Sequence, residues 1–372
     1  MIIVYYVSGH GFGHATRSFE VIRALHRQRP EAQIAVRSGV PRWFVERSLG
    51  DAVTIVHADS DVGIIQIDSL ELDADATARA AAAFYATFDA RAAHEAEWLR
   101  HTGADIVIGD VPPLAFAAAH LAGLPSVAIS NFTWDWIYAA YPAMHQQAPE
   151  VVPTIARAYS RTTLGLRLPF SGGLETMPDV RDIPLVARQS RLGRGATRRL
   201  LGLDDERPLV LASFGGHGAR IDFARVVTDS DVTLILTDHE AHEAVPPALA
   251  ARLRRFTSHE LAAHGVRYED LVAAVDVVAS KPGYGIVSEC IANRASLLYT
   301  ERGHFAEYEV LVRGMSSALR TRFIDREQVR DGRWGEAIAA ILAQPVPIET
   351  MPIDGADIAA AAILALADWI SR

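Results

Sequence analysis

The chain has one cysteine, Cys290, in 372 residues. A disulfide framework is therefore excluded, and the composition fits a reducing compartment. Positive charge is in deficit: 36 lysines and arginines face 45 aspartates and glutamates, a net charge of -9. Without a basic surplus there is little to displace the counterions of a nucleic-acid backbone, so no nucleic-acid partner is expected. Long apolar runs are missing as well. The longest candidate, 106–129, is cut by Asp110, Pro112, Pro113 and Pro125, so no transmembrane helix is expected. The first apolar run lacks the basic flank of a secretion signal. The expectation is a soluble cytoplasmic protein, at most peripheral at the inner face of a membrane. A P-loop is absent too, because no glycine-rich loop is followed by the Lys-Ser/Thr pair that phosphates and magnesium require.

What is present begins at residue 2. Ile2-Ile3-Val4-Tyr5-Tyr6-Val7 reads as a buried strand, and Phe19, Val21, Ile22 and Leu25 recur at roughly helical spacing over 16–28. Between them lies Ser8-Gly9-His10-Gly11-Phe12-Gly13-His14. Loop amides at a helix N-terminus suit an anion, glycines let a ligand approach the backbone, and two imidazoles can move protons near neutrality. The helix dipole favours an uncharged imidazole at His14, the form a general base needs. The bland reading of His14 is a capping or packing residue; for His10, ligand contact and plain loop structure stand side by side.

The first half alternates strands (2–7, 33–37, 54–57, 105–108, 126–129) with helices (16–28, 41–49, 76–100, 114–122), the pattern of a parallel sheet covered on both faces. Residues 161–206 are rich in proline and glycine with weak periodicity and read as an interdomain connection. The alternation restarts with strands at 209–213, 232–236, 276–279 and 296–299, a helix at 286–293 and a terminal helix at 358–370. The division expected is an acceptor-binding domain at 1–165, a linker at 166–205, a nucleotide-sugar domain at 206–350 and a terminal helix at 351–372. Ligands of open parallel sheets bind beyond the strands' carboxyl ends, so the loops 10–14, 214–218 and 282–285 are expected to line one cleft.

Other patterns have competing explanations. Gly9-x-Gly11-x-Gly13 departs from the dinucleotide fingerprint, which has glycine where His14 stands, although Arg37 would suit the extra phosphate of NADP. Phe214-Gly215-Gly216-His217-Gly218 is either a tight turn or a cradle for a diphosphate. Gly283-Tyr284-Gly285 followed by Glu289 offers a carboxylate early in a helix, either complementing the dipole or clamping a ribose. Residues 238–243 lack the histidine spacing of a metalloprotease helix, and the triplets Asp59-Ser60-Asp61, Asp73-Ala74-Asp75 and Asp229-Ser230-Asp231 read as chance in an acidic chain, so no metal is expected. Asn131-Phe132-Thr133-Trp134-Asp135-Trp136-Ile137-Tyr138 gathers aromatics that either pack internally or hold an acceptor. Cys290 is read as a packing residue.

With these residues assembled, the chain resembles the two-domain GT-B glycosyltransferases, an α/β fold of two Rossmann-like domains. It is similar in particular to bacterial glycosyltransferase-like proteins and to the N-terminal portion of plant L-arabinokinases. The runs 9–17 and 131–138 carry that similarity, and the sugar-kinase half has no counterpart here. The wider group, which includes the peptidoglycan N-acetylglucosaminyltransferase, implies a base at Gly13-His14 and a donor pattern falling on Gly283, Gly285, Glu289 and Glu307. A glutamate at 307 where glutamine is common, and Lys281-Pro282 before the glycines, depart from that pattern. The resemblance implies an inverting, metal-independent transfer of a sugar from a nucleoside-diphosphate donor, a UDP-sugar, to an acceptor hydroxyl. His14 and Asp110 would be catalytic. Gly215, Gly216, His217, Gly283, Gly285, Glu289, His304 and Glu307 would bind the donor, and His10, Asn131, Trp134 and Asp135 the acceptor, itself lipid-linked or a small glycoside. A nucleotide-sugar epimerase on the same architecture and a non-catalytic nucleotide-sugar-binding protein remain as alternatives.

Overall fold

A computed structural model describes residues 1–67, 71–203, 206–214, 221–237, 247–348 and 350–370. The chain forms two compact units. One comprises residues 1–65, 73–187 and 352–372, the other 66–72 and 188–351.

In the first unit, seven strands form one sheet in the order β3-β2-β1-β4-β5-β6-β7. They are β1 (Ile2–Val7), β2 (Gln33–Ser38), β3 (Thr54–His57), β4 (Ile106–Asp110), β5 (Ser126–Phe132), β6 (Leu164–Gly172) and β7 (Val180–Asp182). Every pairing is parallel. A strand covered on both faces needs apolar residues at every position rather than alternating ones. Accordingly Ile3 to Val7 are all fully buried. Helix α1 (Phe12–Gln28) follows β1, with Gly11 at its N-cap at φ 72, a backbone angle that glycine adopts without strain. The terminal helix Gly355–Ile370 packs against α1, with Arg29 and Asp368 paired at 2.8 Å. Its first residue must be small, since a Cβ on Gly355 would lie 2.1 Å from the Pro184 carbonyl oxygen.

The second unit carries six parallel strands in the order β10-β9-β8-β11-β12-β13. They are β8 (Leu209–Ala212), β9 (Thr233–Thr237), β10 (Leu253–Phe256), β11 (Val277–Ser280), β12 (Ser296–Tyr299) and β13 (Thr321–Phe323). Val210, Leu234, Val277, Leu298 and Trp334 are among its buried core.

Three expectations change. Residues 164–172 and 180–182, read as connecting chain, are strands of the first sheet, and 194–201 is a helix of the second unit. Sheet pairing recruits this stretch: β6 adds to β5, β7 forms the edge, and Pro169 lies beyond the β6 residues that pair with β7, where a missing amide hydrogen is tolerated. The helix expected over 76–100 is two, Ala74–Tyr85 and Phe88–Thr102, although no glycine or proline marks the break. Finally, Arg37 does not await a cofactor phosphate. It is buried, its Nε donates to Glu95 Oε2 at 2.8 Å, and its guanidinium stacks 4.2 Å from the Trp98 ring. Glu95 also accepts the Tyr6 hydroxyl at 2.7 Å, which completes a closed internal network.

Candidate functional site

In the first unit the carboxyl ends of β1, β4 and β5 carry Ser8, Asp110 and Asn131 side by side, because Val7 is in register with Asp110. Helix α1 starts two residues after His10, so Gly13 and His14 lie in its first turn and His14 faces Asp110. His14 Nδ1 is 2.8 Å from Asp110 Oδ1, and both side chains are buried. Arg17, one turn along, grips the same carboxylate with both prongs: Nε donates to Oδ2 at 2.7 Å and one terminal nitrogen to Oδ1 at 2.6 Å. Its other terminal nitrogen donates to Asn131 Oδ1 at 2.6 Å, and Ser18 Oγ donates to Asp110 Oδ2 at 3.0 Å.

Burial alone would raise the Asp110 carboxyl, but the charges of Arg17 and His14 and the hydrogen bonds they make outweigh it and push it down to about 2. Asp110 is thus a carboxylate at neutral pH and can only accept hydrogen bonds. A ring nitrogen 2.8 Å from it must carry a hydrogen, so whenever the His14 ring is uncharged its hydrogen sits on Nδ1 and its lone pair on Nε2. The Arg17 nitrogen lies 3.0 Å from His14 Nδ1 because both converge on one oxygen. His10 has the opposite tautomer. Its Nδ1 accepts the Ile64 amide at 3.2 Å, which leaves the ring hydrogen on Nε2.

The aromatic run expected to hold an acceptor is internal. Trp134 and Asn131 are fully buried, and Asp135 is 8% exposed. Asn131 is spent on Arg17, and Asp135 caps the Trp136 amide at 3.0 Å and accepts the Thr176 hydroxyl at 3.2 Å. Trp134 backs the histidines: its ring meets His10 edge-on at 5.5 Å and lies tilted against His14 at 6.2 Å. Phe132 meets His14 edge-on at 5.3 Å. These residues build the wall behind the imidazoles, because the run continues β5 into the core rather than leaving it as a surface loop.

In the second unit Gly283 caps the helix Tyr284–Asn293 and Gly285 lies in its first turn, directly after β11. Glu289 is in the second turn, buried, with Arg188 Nε donating to its Oε1 at 2.6 Å. The paired carboxylate, buried Glu289 next to it, and the nearby Glu269 raise the Arg188 guanidinium even though burial opposes its charge. Glu289 therefore has a basic partner that the sequence pattern did not reveal. Glu307, expected to touch the donor sugar, is buried and accepts from Arg302 at 2.7 Å, so its carboxylate already serves an internal pair. His304 is exposed in the preceding turn. Gly215, Gly216 and His217 lie outside the described residues, as does the acidic stretch 238–243. Phe214, the last described residue before Gly215, packs on Trp334 with ring centres 6.1 Å apart. Cys290 is buried and its thiol is pushed up by that burial, which makes it a packing residue. Among the described residues no group of three acidic, histidine or cysteine side chains is arranged to hold a metal ion. No helix among them is long and apolar enough to cross a membrane.

Two all-parallel sheets in separate units match the GT-B fold of solved glycosyltransferase structures, and this chain has that fold. The family model described as glycosyl transferase family 1 matches residues 1–163. The chain is similar to L-arabinokinase of Arabidopsis thaliana, 31% identical over 319 residues, which is 85% of this chain and 29% of the plant protein. It is also similar to the UDP-N-acetylglucosamine–N-acetylmuramyl-(pentapeptide) pyrophosphoryl-undecaprenol N-acetylglucosamine transferase of Clavibacter michiganensis, 28% identical over 228 residues, 58% of this chain and 56% of that one. The chain thus spans under a third of the plant relative's length and little over half of the bacterial one's. Among solved structures, the kitacinnamycin glycotransferase superposes with TM-score 0.61 at 17% identity, covering 100% of this chain and 98% of the other. Phytolacca americana UGT2, complexed with UDP-2fluoro-glucose and pterostilbene, gives 0.60 at 13% identity, covering 99% and 94%.

Proposed function

We propose that this chain is a glycosyltransferase that moves a sugar from a nucleoside-diphosphate donor, a UDP-sugar, to an acceptor hydroxyl with inversion at the anomeric carbon and without a metal ion. The observation that carries the reading is the His14–Asp110 pair, 2.8 Å apart at the carboxyl ends of β4 and of the β1–α1 turn. The acceptor hydroxyl gives its proton to His14 Nε2 as its oxygen attacks the anomeric carbon. The Nδ1 hydrogen stays on the imidazole, and the Asp110 carboxylate stabilises the imidazolium that forms. The bond from the anomeric carbon to the diphosphate oxygen breaks with its electron pair, so the nucleoside diphosphate leaves as an anion. Amides at the start of the helix Tyr284–Asn293, with those of Gly215 and Gly216, would stabilise that charge in place of a metal. His10, holding its hydrogen on Nε2, would donate to an acceptor oxygen beside the reactive one.

Glu289 would accept the ribose hydroxyls, with Arg188 keeping it ionised and oriented. His304 and Glu307 are kept as second-rank donor contacts, Glu307 only if the sugar competes with Arg302.

The reading is tested with a panel of nucleoside-diphosphate sugars and small polyhydroxyl, aryl and lipid-linked acceptors, with products analysed by NMR. The expected result is a glycoside of inverted anomeric configuration, formed equally with and without a chelator. Donor consumed without acceptor would instead indicate epimerisation or hydrolysis, and binding without turnover a sensing module. In the same panel Glu289→Gln should weaken UDP binding about tenfold, since a hydrogen bond to a charged group is worth about 1.5–3 kcal/mol. Unchanged UDP affinity would remove Glu289 from the ribose site.

A further inference from the structure

Asp61 belongs to the acidic triplet 59–61 that looked like chance in the sequence, and the structure separates its two carboxylates. Asp59 is exposed, 3.8 Å from His57 Nε2. Asp61 turns inward, and its Oδ2 accepts the indole N–H of Trp134 at 3.0 Å. Ser8 and the Gly9 amide, at the end of β1, lie close enough to favour its charged form, as does His14. Burial raises its carboxyl, while these same partners lower it. Tyr85, Tyr138 and Tyr159 are the other titratable groups that feel its charge.

The residues that follow close round His10. The Ile64 amide donates to its Nδ1, and the Gly63 carbonyl accepts the Tyr138 hydroxyl at 2.8 Å. Gly63 adopts φ 67, and a Cβ there would lie 2.6 Å from His10 ring atoms, so only glycine lets the segment come this near. The stretch 61–64 therefore forms a collar whose anchor is the Asp61–Trp134 bond. The Trp134 ring in turn contacts both imidazoles.

We propose that Asp61 is a positioning residue of the transfer site. By holding the Trp134 indole it fixes the wall against which His14 and His10 are set, and so the direction in which His14 presents its proton-accepting nitrogen. This rests on the glycosyl-transfer reading above. A catalytic group displaced by about 1 Å loses up to 10²-fold in rate, and the indole is the surface that prevents such a displacement.

The test compares Asp61→Leu, which removes the acceptor oxygens at similar size, with Asp61→Asn, which keeps one. The Trp134 indole N–H resonance is followed by nitrogen-15 NMR in the full chain without substrate, and kcat and donor KM are measured alongside. The expected result is an indole resonance moved in Asp61→Leu, with kcat down about tenfold and donor KM within twofold. Asp61→Asn should stay close to the wild type in both respects. An unmoved resonance in Asp61→Leu, kcat within twofold, or an equal loss in Asp61→Asn would each overturn the proposal. Should the resonance move as expected while even the wild type turns over no donor, the anchoring stands and the glycosyl-transfer reading fails.

Discussion

His14→Ala is expected to lose about 10²–10⁴-fold in kcat while UDP binding and the unfolding temperature stay near wild type. The size of the loss is that of removing a positioned general base. Donor affinity should survive because the residues proposed to hold the nucleotide, Gly283, Gly285 and Glu289, belong to the second unit. The fold should survive because Asp110 keeps its bidentate Arg17 and the Ser18 hydroxyl when the imidazole is gone. The measurement is steady-state transfer alongside isothermal titration of UDP into the same preparation. Turnover within tenfold of wild type, with binding intact, would take the base role from His14.

Asp110→Asn is expected to be worse in two ways at once. An asparagine amide can donate to His14 Nδ1, which moves the ring hydrogen to Nε2 and leaves no lone pair facing the acceptor, so turnover should again fall about 10²–10⁴-fold. The substitution also leaves the Arg17 guanidinium buried without its counter-charge, a loss of about 3–5 kcal/mol of stability. The hydrogen bonds from Arg17 to Asn131 and Ser130 soften that figure toward its lower end. The acid dependence follows from the same carboxylate. Its folded value of about 2 lies below the ordinary 3.8, so its stabilisation is complete above about pH 4 and fades as pH falls toward 2. Urea unfolding of wild type and Asp110→Asn across that range should show the gap between them closing on acidification. A gap independent of pH would mean that the Asp110 charge does not support the fold.

The first unit's frame is legible where its central strands carry apolar runs, as in β1, an unbroken one, and the apolar residues of β4 and β5. Residues 2–7 and 54–57 have the bounds expected, and β1's glycine–histidine turn could be read directly. What the sequence hid was pairing across distance. Nothing local to Asp110 announces Arg17, 93 positions away, and nothing near Glu289 announces Arg188, 101 positions away. Arginines look alike in a composition until the fold decides which are buried. β6 and β7 are illegible for a related reason: Pro169 and the glycines at 172 and 173 are turn signals locally, and only pairing with β5 turns that stretch into strand. The aromatics at 132–138 leave two readings open in the sequence, because a surface platform and an internal wall use the same residue types. The discriminating fact, that Asn131 and Trp134 are fully buried, belongs to the tertiary structure. Asp61 looks in sequence like any member of the three acidic triplets, yet its side chain meets a tryptophan behind the histidines.

The account depends on an imidazole whose bare nitrogen is dictated by a carboxylate behind it. Nitrogen-15 NMR of the histidine rings in the free protein near neutral pH tests that most directly. The predicted spectrum of the uncharged ring has the His14 hydrogen on Nδ1 and none on Nε2, reverting to a mixture of tautomers in Asp110→Ala. A wild-type His14 carrying its hydrogen on Nε2 would contradict the account.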